Sequence, residues 1–412
     1  MPETSAEELR DQLVQHLVDT GAIRTAAVER AFRAVPRHVF LPGVELASVY
    51  RDQAVVTHWD ADGRPTSSSS QPAIMAIMLE QLGLGPGQRV LEVGAGTGYN
   101  AALMAQLTGP TGTVVTMDID EEVASAARGH LDEAGCQQVR VVTGDGALGW
   151  LEGAPYDRVI LAVGAWDLAP AWWEQLAGDG RLVLPLSLQG MQRSVAFDRW
   201  GDHYASVSIV DCGFMPMRGC LAGPAPERVL DDRPGVFLQS GSGRPLDTKA
   251  LSAALGQPGR LVPTGLRVSA DDIMGGLGLW LMLHETGAGL LAALGAAVDE
   301  GVVPAVVSFP GMAHTIVLAG QDSLAALAYW DSGPGNSEGA FELGVLAFGP
   351  EGETLAGQLA SAARDWDGQG RRSTDQLSIL AYPQGVTPRG PAAVIIDKTH
   401  SRLILNWDQD TA

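Results

Sequence analysis

Apolar residues in the first 84 positions recur mostly at helical spacing. Ser5 and Glu8 form a capping-box pattern that opens a first helix, and a second short helix is expected to stop before Pro36. Residues 37–70 contain several turn residues and are expected to be irregular, whereas residues 72–84 again follow a helical pattern. The N-terminal region is therefore predicted to be helical around one irregular segment.

From residue 89 the pattern changes, because apolar runs of strand length alternate with helical stretches. Such alternation predicts an α/β fold with a parallel, doubly wound sheet and a ligand site outside the carboxyl ends of the strands. The predicted strands are residues 89–93, 113–117, 139–142, 158–163 and 181–185, and the predicted helices are residues 100–107, 121–134 and 172–176.

Beyond residue 222 the alternation fails and prolines accumulate, which indicates a linker. We therefore expect a cofactor-binding domain over residues 1–222, a linker over residues 223–235 and a smaller α+β accessory domain over residues 236–412. The apolar stretch 273–298 is broken by charged residues and glycines, so it is interpreted as a buried pair of helices rather than a membrane span. Further strands are expected at residues 305–309, 315–318, 324–330, 341–348 and 377–382, and a terminal hairpin at residues 392–397 and 402–407.

Charge and cysteine content restrict the partners. The 48 acidic residues outnumber the 27 basic ones, which gives a net charge of −21 and makes nucleic acid an unexpected partner, since a phosphate backbone needs clustered Lys and Arg. The acidic N-terminus is unlike a signal peptide, and the three cysteines have neither zinc nor redox spacing, so we expect a cytoplasmic protein with no membrane partner. No metal is expected, because His284, Glu285 and His314 lack ligand spacing.

The strongest chemical signal is the segment VLEVGAGTGYN. Glu92 is followed by glycines at every second position, Gly94, Gly96 and Gly98. Glycines let the backbone turn sharply and approach a ligand where a Cβ would collide. A dinucleotide site would need a further glycine where this chain has Tyr99, so the spacing instead favours the glycine loop of methyltransferases that bind a nucleoside cofactor.

Two more acidic residues follow the next two predicted strands. Asp118 comes twenty-two residues after Gly96, where a doubly wound fold places a carboxylate for both ribose hydroxyls. Asp145 precedes Gly146 and is expected to accept from the adenine amino group, while Glu92 is expected near the methionyl ammonium. Asp118 or Asp145 alone is also compatible with a helix cap or a solvated loop end. Together with the glycine loop they predict S-adenosylmethionine as the cofactor.

Several segments extend the pattern beyond the glycine loop. VPRHVFLP at residues 35–42, Tyr50 with Asp52, and SSSQPAIMAIMLEQL at residues 68–82 precede it, and GDGALGW, APYDRVILAVGA and GRLVLPL follow it. In this order they resemble the segments of the protein-L-isoaspartate O-methyltransferases. The resemblance implies that residues 1–222 form a Rossmann-like class I methyltransferase domain that uses S-adenosylmethionine and releases S-adenosylhomocysteine.

The resemblance also assigns roles to the serine run. In that family the serine before the Gln-Pro pair holds the substrate carboxylate near the sulfonium methyl group; the role falls here to Ser70, with Ser68 and Ser69 beside it. Gln71 is expected among the cofactor-binding residues. A carboxylate is already a nucleophile, so the enzyme has to supply in-line positioning and exclusion of water. The alternative is that the serines only form a polar loop that caps the helix beginning near Pro72.

Two departures from the family concern the substrate. About 190 residues follow the expected catalytic domain, and the segment HWDADGRPTSSSS lacks the Gly-Gln-Thr lead-in of the repair enzymes. The architecture resembles a subset associated with ribosomally made modified peptides of the lanthipeptide or graspetide type. Those enzymes methylate an aspartate whose ester collapses to a succinimide (aspartimide) and then to isoaspartate.

Three hypotheses about function follow. The main one is an O-methyltransferase for an aspartyl side chain of such a peptide, with residues 236–412 helping to recognise it. Deletion of residues 230–412 is then expected to weaken peptide binding and to leave cofactor binding largely intact. The alternatives are general repair of isoaspartyl residues in proteins and a catalytically idle peptide-binding module.

A few other side chains near the expected site have interpretations of their own. His38 is interpreted as a packing or hydrogen-bonding residue rather than a base, and Asp167 as a helix cap. Trp166, Trp172 and Trp173 are assigned to the core rather than to a peptide platform, although Trp166 lies on the loop where a substrate wall is expected.

Overall fold

The computed structural model describes most of the chain, although two linker prolines, Pro226 and Pro234, and residues 61–64 before the serine run lie outside the described residues. The described ranges are residues 5–60, 65–224, 227–230, 233, 235–240, 246–309, 312–331, 340–389 and 391–407.

Twelve α-helices are found in these ranges. They are α1 Ala6–Asp19, α2 Ala26–Ala34, α3 Leu46–Val49, α4 Pro72–Leu82, α5 Tyr99–Thr108, α6 Glu121–Glu133, α7 Pro170–Gln175, α8 Thr248–Leu255, α9 Ala270–Asp272, α10 Gly278–His284, α11 Ala296–Asp299 and α12 Gly352–Gly368.

Twenty strands are found in the same ranges. They are β1 Val55–Trp59, β2 Pro65–Ser69, β3 Arg89–Val93, β4 Thr113–Asp118, β5 Val139–Thr143, β6 Tyr156–Leu161, β7 Leu176–Leu188, β8 Met191–Trp200, β9 His203–Asp211, β10 Glu227–Val229, β11 Val236–Ser240, β12 Arg260–Ser269, β13 Ala288–Leu294, β14 Val307–Phe309, β15 Met312–Ala319, β16 Leu324–Asp331, β17 Ala340–Phe348, β18 Leu377–Pro383, β19 Val394–Asp397 and β20 Ser401–Trp407.

The first sheet has ten strands in the order β19-β20-β18-β9-β8-β7-β6-β3-β4-β5. The five strands from β7 to β5 pair in parallel, as the alternation of strands and helices predicts. β8 and β9 continue the sheet antiparallel, which the sequence pattern does not predict. The expected α/β, Rossmann-like fold is therefore confirmed.

Helices and loops cover both faces of this sheet. On one face Phe32 of α2 packs with Leu103 of α5, and both side chains are almost fully buried. On the other face Trp172 of α7 belongs to one buried cluster with Leu184 of β7 and Leu279 of α10. Because α10 comes from the second half of the chain, the core of the first sheet contains residues from both halves.

A second sheet of eight strands follows in the order β10-β11-β13-β15-β16-β17-β12, with β14 pairing to β15. All of its strand pairs are antiparallel. Helix α12 packs against it through Leu359, Ala363 and Trp366. This sheet is the extra C-terminal part that the fold prediction includes.

The expectation of irregular chain over residues 37–70 is wrong where β1 and β2 form a separate hairpin. Val55 lies opposite Ser69, and Val56 lies opposite Ser68. The hydrophobic pattern could not show this, because β2 consists of Pro, Thr and Ser, and its pairing rests on main-chain hydrogen bonds.

The buried helix pair expected over residues 273–298 is also wrong. A π-helical segment, Ile273–Leu277, and α10 are followed by β13, which pairs with β11 and β15. Gly287, with φ of 99°, separates the helix from the strand. A short apolar run is equally compatible with a buried helix or a buried strand, so only the pairing decides. Among the described residues no helix has both the length and the apolarity that crossing a bilayer requires.

The last strands belong to the first sheet. β18 pairs with β9 through Leu380 opposite Ala205, and β20 and β19 follow at the edge. The expected terminal hairpin is therefore present, but it extends the first sheet rather than the second. β10 also lies inside the expected linker. The division of the chain at residues 222 and 236 remains a prediction, with residues 377–407 placed beside the N-terminal half.

Candidate active site

The glycine loop joins β3 to α5 at the carboxyl end of the parallel strands. Gly94, Gly96 and Gly98 have φ of 96°, 52° and 87°, in the left-handed region that favours glycine. The amide of Gly94 donates to the carbonyl of Met117 at 2.8 Å, which ties the loop to β4. A Cβ on Gly94 would lie 2.9 Å from the Val163 side chain, so no larger residue fits there. The loop is thus held with its main chain at the edge of the sheet.

Glu92 is fully buried at the end of β3. Its carboxylate accepts hydrogen bonds from the Asn100 amide at 2.7 Å and the Thr116 hydroxyl at 2.6 Å. Burial raises the pKa of Glu92 to about 7, although both hydrogen bonds act in the opposite direction. The Asn100 Oδ1 atom is buried and has no hydrogen-bond partner among the described residues. A donor with several N–H groups, such as an ammonium, would satisfy this pair of acceptors.

Asp118 lies at the end of β4 and contacts the glycine loop. Its carboxylate accepts from the amide of Gly96 at 3.2 Å and from the amide of Asp120 at 3.1 Å. Burial raises the pKa of Asp118, while the two amides and the nearby Arg218 lower it. The N-cap of α6 is Asp120, so the helix-cap alternative does not describe Asp118. Its position suits an acceptor for vicinal hydroxyls.

Asp145 has more intramolecular partners than the sequence suggests. It caps the short turn Gly146–Leu148 by accepting from the amide of Ala147 at 3.0 Å, and it accepts from the amide of Cys220 at 2.7 Å. Burial acts to raise the pKa of Asp145, but these hydrogen bonds outweigh it and hold the pKa below its usual range. The capping alternative is therefore correct for Asp145. A hydrogen bond from adenine to this carboxylate would come in addition to its two intramolecular hydrogen bonds.

The serine run lies against the glycine loop. A Cβ on Gly96 would lie 3.1 Å from the main-chain oxygen of Ser68, so the two segments are in close contact. In β2 the side chains of Ser67 and Ser69 are buried, whereas that of Ser68 and that of Ser70, the residue after the strand, are half-buried. The structure therefore brings the serine hairpin and the cofactor loop together, with Ser68 and Ser70 on the more accessible side.

A buried arginine, to which the sequence pattern assigns no role, holds this hairpin. Arg37 has no exposed side-chain surface and donates to the carbonyl oxygens of Val49 at 2.8 Å and Ser70 at 3.0 Å. It also donates to the Ser69 hydroxyl at 3.3 Å. Burial lowers the pKa of Arg37. Because a buried cation is costly unless it is hydrogen-bonded, these contacts fix the main chain around Ser70. The segment VPRHVFLP was the available signal.

Two further contacts support the same hairpin. Asp52 accepts from the side-chain amide of Gln71 at 2.9 Å and from the main-chain amide of Ala73 at 2.8 Å, at the start of α4. Gln71 is thus engaged with Asp52. The Nδ1 atom of His38 lies 2.7 Å from the Tyr50 hydroxyl, as expected for a hydrogen-bonding residue.

The loop after β6 contacts the glycine loop through Val163. The N-cap of α7 is Ala169, so the interpretation of Asp167 as a helix cap is wrong. Asp167 is instead fully buried and contacts the last hairpin. Trp172 is buried and donates to the carbonyl of Gly146 at 2.9 Å, as expected of a core residue. Among the described residues, no group of three or more His, Cys, Asp and Glu side chains is arranged to hold a metal ion.

These residues fit S-adenosylmethionine. Buried acceptors at Glu92 and Asn100 suit its ammonium, Asp118 suits its ribose, and the glycine loop presents main chain where a side chain would obstruct a ligand. A doubly wound parallel sheet with this set of residues at its carboxyl edge defines a class I S-adenosylmethionine-dependent methyltransferase.

Comparison with known proteins identifies the family. Residues 7–220 match the family model of protein-L-isoaspartate(D-aspartate) O-methyltransferase. This is more than half of the 412-residue chain, and the chain belongs to that family. It is accordingly an enzyme, a methyltransferase that uses S-adenosylmethionine.

Individual relatives agree. The protein-L-isoaspartate O-methyltransferase of Methanopyrus kandleri is 38% identical over 212 residues, which cover 51% of this chain and 91% of that protein. The enzyme of that name from Thermotoga maritima is 38% identical over 171 residues, 41% of this chain, and the match spans only 53% of its length. A solved structure titled protein-L-isoaspartate O-methyltransferase has a TM-score of 0.50 at 23% identity and covers 90% of this chain and 96% of its own. That likeness concerns the fold.

Proposed function

We propose that this enzyme methylates the free carboxylate of isoaspartyl residues in proteins, as a repair enzyme does. The family match over residues 7–220 and the names of the relatives support this alternative better than the aspartyl-peptide hypothesis. The observation that carries the proposal is the contact of Gly96 with Ser68, because it sets a hydroxyl-bearing hairpin against the cofactor loop.

The chemistry requires little of the protein beyond positioning. When bound, the cofactor supplies a methyl group on a cationic sulfur and leaves as S-adenosylhomocysteine. The substrate carboxylate is already ionised near neutral pH and needs no base. We assign to the Ser70 hydroxyl a hydrogen bond that holds this carboxylate in line, with Ser68 as a second donor. Ser69 is a positioning residue in this scheme, because its hydroxyl accepts from buried Arg37.

The cofactor-binding roles are part of the same proposal. Glu92 holds the ammonium, with Asn100 as the adjoining acceptor. Asp118 accepts from the ribose hydroxyls, and Asp145 with Gly146 borders the adenine. Gln71, which Asp52 orients, closes the site from the hairpin side. Gly94, Gly96 and Gly98 supply main chain around these groups.

The presence of the second sheet supports the dedicated aspartyl-peptide hypothesis as a second candidate function. Its strands lie in the chain between β9 and β18 of the first sheet, and α10 from that region packs into the core of the first sheet. We propose that this region contributes to recognition of the peptide or protein substrate. An extension is nevertheless no proof of a dedicated substrate, since the fold of a protein titled as an isoaspartate methyltransferase covers 90% of this chain.

Mass spectrometry of two matched peptides tests the proposal. One contains Asp-Gly, the other isoAsp-Gly, and each is incubated with enzyme and S-adenosylmethionine. A methyl ester, or the succinimide derived from it, on the isoaspartyl peptide alone is the expected result. Modification of the aspartyl peptide, or of neither, would contradict repair and favour a dedicated aspartyl peptide.

Calorimetric titration with S-adenosylmethionine separates these outcomes from loss of the enzyme itself. Binding without modification of either peptide points to a different substrate, whereas absence of binding would revive the idle peptide-binding module. The cytoplasmic location and a small ribosomal peptide as substrate stay predictions.

A further inference from the structure

The turn between β19 and β20 lies on the loop that follows β6. Lys398 is 7% exposed and donates to the carbonyl oxygen of Trp166 and, at 2.6 Å, to that of Ser187. Its ammonium lies 4.2 Å from the centre of the Trp166 ring, within cation–π distance. One side chain of the last hairpin therefore contacts both the loop after β6 and the end of β7.

Asp167 makes the reciprocal contacts. Its carboxylate is fully buried and accepts from the amide of His400 and the hydroxyl of Ser401, both at 2.6 Å. It also accepts from the amide of Leu168 at 2.7 Å. Removing one of the three hydrogen bonds of this buried carboxylate would cost stability, because the carboxylate would be left incompletely hydrogen-bonded away from water. The loop is thus held from two directions by the same turn.

The opposite end of this loop contacts the cofactor loop. The amide of Ala162 donates to the carbonyl of Val93 at 2.8 Å, and Val163 is the side chain that a Cβ on Gly94 would meet at 2.9 Å. Trp166 is three positions after Val163, which limits their Cα distance to roughly 10 Å. The residues that Lys398 holds are therefore close to the glycine loop, at the carboxyl edge where the substrate must lie.

We propose that the β19–β20 turn is part of the methyltransferase site, in which Lys398 and Asp167 are positioning residues that hold loop 162–169 as the substrate-side wall. The inference rests on the proposed methyl transfer to a peptide carboxylate. It gives the last hairpin a role in turnover, separate from any role of the second sheet. Burial lowers the pKa of Lys398 to about 8, while Asp167 acts in the opposite direction. The charged ammonium therefore depends on its hydrogen bonds to the loop and to β7.

Three variants and one control test this in the full chain. Lys398→Met removes the ammonium, Lys398→Arg retains charge and donors, and Ser401→Ala removes one hydrogen bond to Asp167. Arg402→Ala is the control, because Arg402 pairs with Asp397 in the same hairpin and both are partly exposed. Amide hydrogen exchange of residues 162–169, calorimetric affinity for S-adenosylmethionine, and kcat and KM for the modified peptide are measured.

Lys398→Met is expected to speed exchange in residues 162–169 by about tenfold or more and to lower kcat/KM by a similar factor. The affinity for S-adenosylmethionine should stay within about threefold, because Glu92 and Asp118 are untouched. Ser401→Ala should show the same pattern more weakly, Lys398→Arg should recover part of the loss, and Arg402→Ala should match the parent enzyme.

Parent-like exchange and kinetics in folded Lys398→Met and Ser401→Ala would overturn the proposal. So would faster exchange spread evenly over the chain, since that indicates general loss of stability. If Lys398→Met does not fold, Ser401→Ala decides on the same criteria. If neither test peptide is a substrate, the exchange pattern still decides the positioning role, so failure of the proposed function is recognised separately.

Discussion

The proposed cofactor side of the site comes from three consecutive strand ends, β3, β4 and β5, whereas the proposed substrate side joins Asp167 to Ser401, 234 positions later. On the cofactor side Glu92 and Asp118 are among the last two residues of their strands and Asp145 follows its strand by two residues. Most contacts there lie within about 25 positions, such as Thr116 to Glu92. On the proposed substrate side the contacting atoms come from residues more than 200 positions apart, in the middle and near the end of the sequence.

This difference in sequence separation indicates which part of the site can be mutated without affecting the other. A parallel sheet brings its carboxyl ends to one edge by itself, so the cofactor side needs only the correct residues at fixed offsets. The substrate side depends on the hairpin pairing correctly with β9 and then docking onto the loop after β6. Changes to the hairpin should therefore alter turnover and stability before they alter cofactor binding.

The largest effect should come from removing the last strands. Deletion of residues 374–412 removes Ile379, Leu403 and Leu405, all fully buried in the core of the first sheet. Each such side chain contributes about 1.5–3 kcal/mol, so the loss is comparable with the total stability of about 5–15 kcal/mol of a typical domain. We expect an unfolded or aggregated product by thermal melting and gel filtration.

The same argument applies to the deletion of residues 230–412, from which intact cofactor binding is expected on sequence grounds. That deletion also removes β18–β20 and leaves β9 as an unpaired edge. A monomeric truncated protein with normal affinity for S-adenosylmethionine would show that the last strands are dispensable to the first sheet.

The next effect concerns the cofactor side alone. Asp118→Ala should weaken S-adenosylmethionine binding by about 1–3 kcal/mol, because it removes charge-assisted hydrogen bonds to the ribose. The melting temperature of the cofactor-free protein should change little, since within the described part of the chain Asp118 accepts from two loop amides. Calorimetry measures the affinity, with exposed Glu122→Gln as the control. Unchanged affinity would remove Asp118 from the site.

The affinity for S-adenosylmethionine should rise with pH. Glu92 has a pKa raised to about 7, and its ionised form should bind the ammonium, so affinity should increase by about tenfold from pH 6 to pH 8. In the cofactor-free protein the sign is opposite. The folded state keeps the Glu92 proton up to about pH 7 while the unfolded state loses it near 4.5, so stability falls as pH rises through that window.

Glu92→Gln should flatten both pH dependences, which calorimetry and thermal melting at pH 6 and pH 8 would show. A parent-like slope in this variant would mean that another group titrates. Asn100→Ala is the companion variant; it should weaken the cofactor while the slope persists, because the carboxyl group remains.

The smallest effect should be on turnover. Ser70→Ala should lower kcat by about 3- to 10-fold, or about 0.5–1.5 kcal/mol, with unchanged cofactor affinity, because Ser68 remains as a second donor and keeps part of the positioning of the substrate carboxylate. Steady-state kinetics with the modified peptide measures it. Ser67→Ala is a matched control, because Ser67 lies three residues earlier, in β2, with its side chain buried. Loss of cofactor binding with retained turnover would reverse the assigned roles.

Sequence reasoning predicted the regular parts of the first sheet well. The predicted strands over residues 89–93 and 113–117 match β3 and β4 within one residue, because hydrophobic runs and turn residues are local signals. It missed β8, β9 and the strand character of β2, because these segments form strands through pairing with neighbouring strands and not through a strong local preference for strand. Arg37 and Lys398 could not be assigned roles, because a buried cation is recognised only when its acceptors are known.

The sequence alone determined the class of the protein: the order of strands and helices, and the offsets of Glu92, Asp118 and Asp145 from their strand ends, are local features. Only the tertiary structure decided where the last hairpin belongs, what surrounds Asp167 and Asp145, and which serines are accessible. Those facts depend on contacts between residues far apart in the chain, such as Lys398 with Trp166, and no local pattern encodes the distance between them.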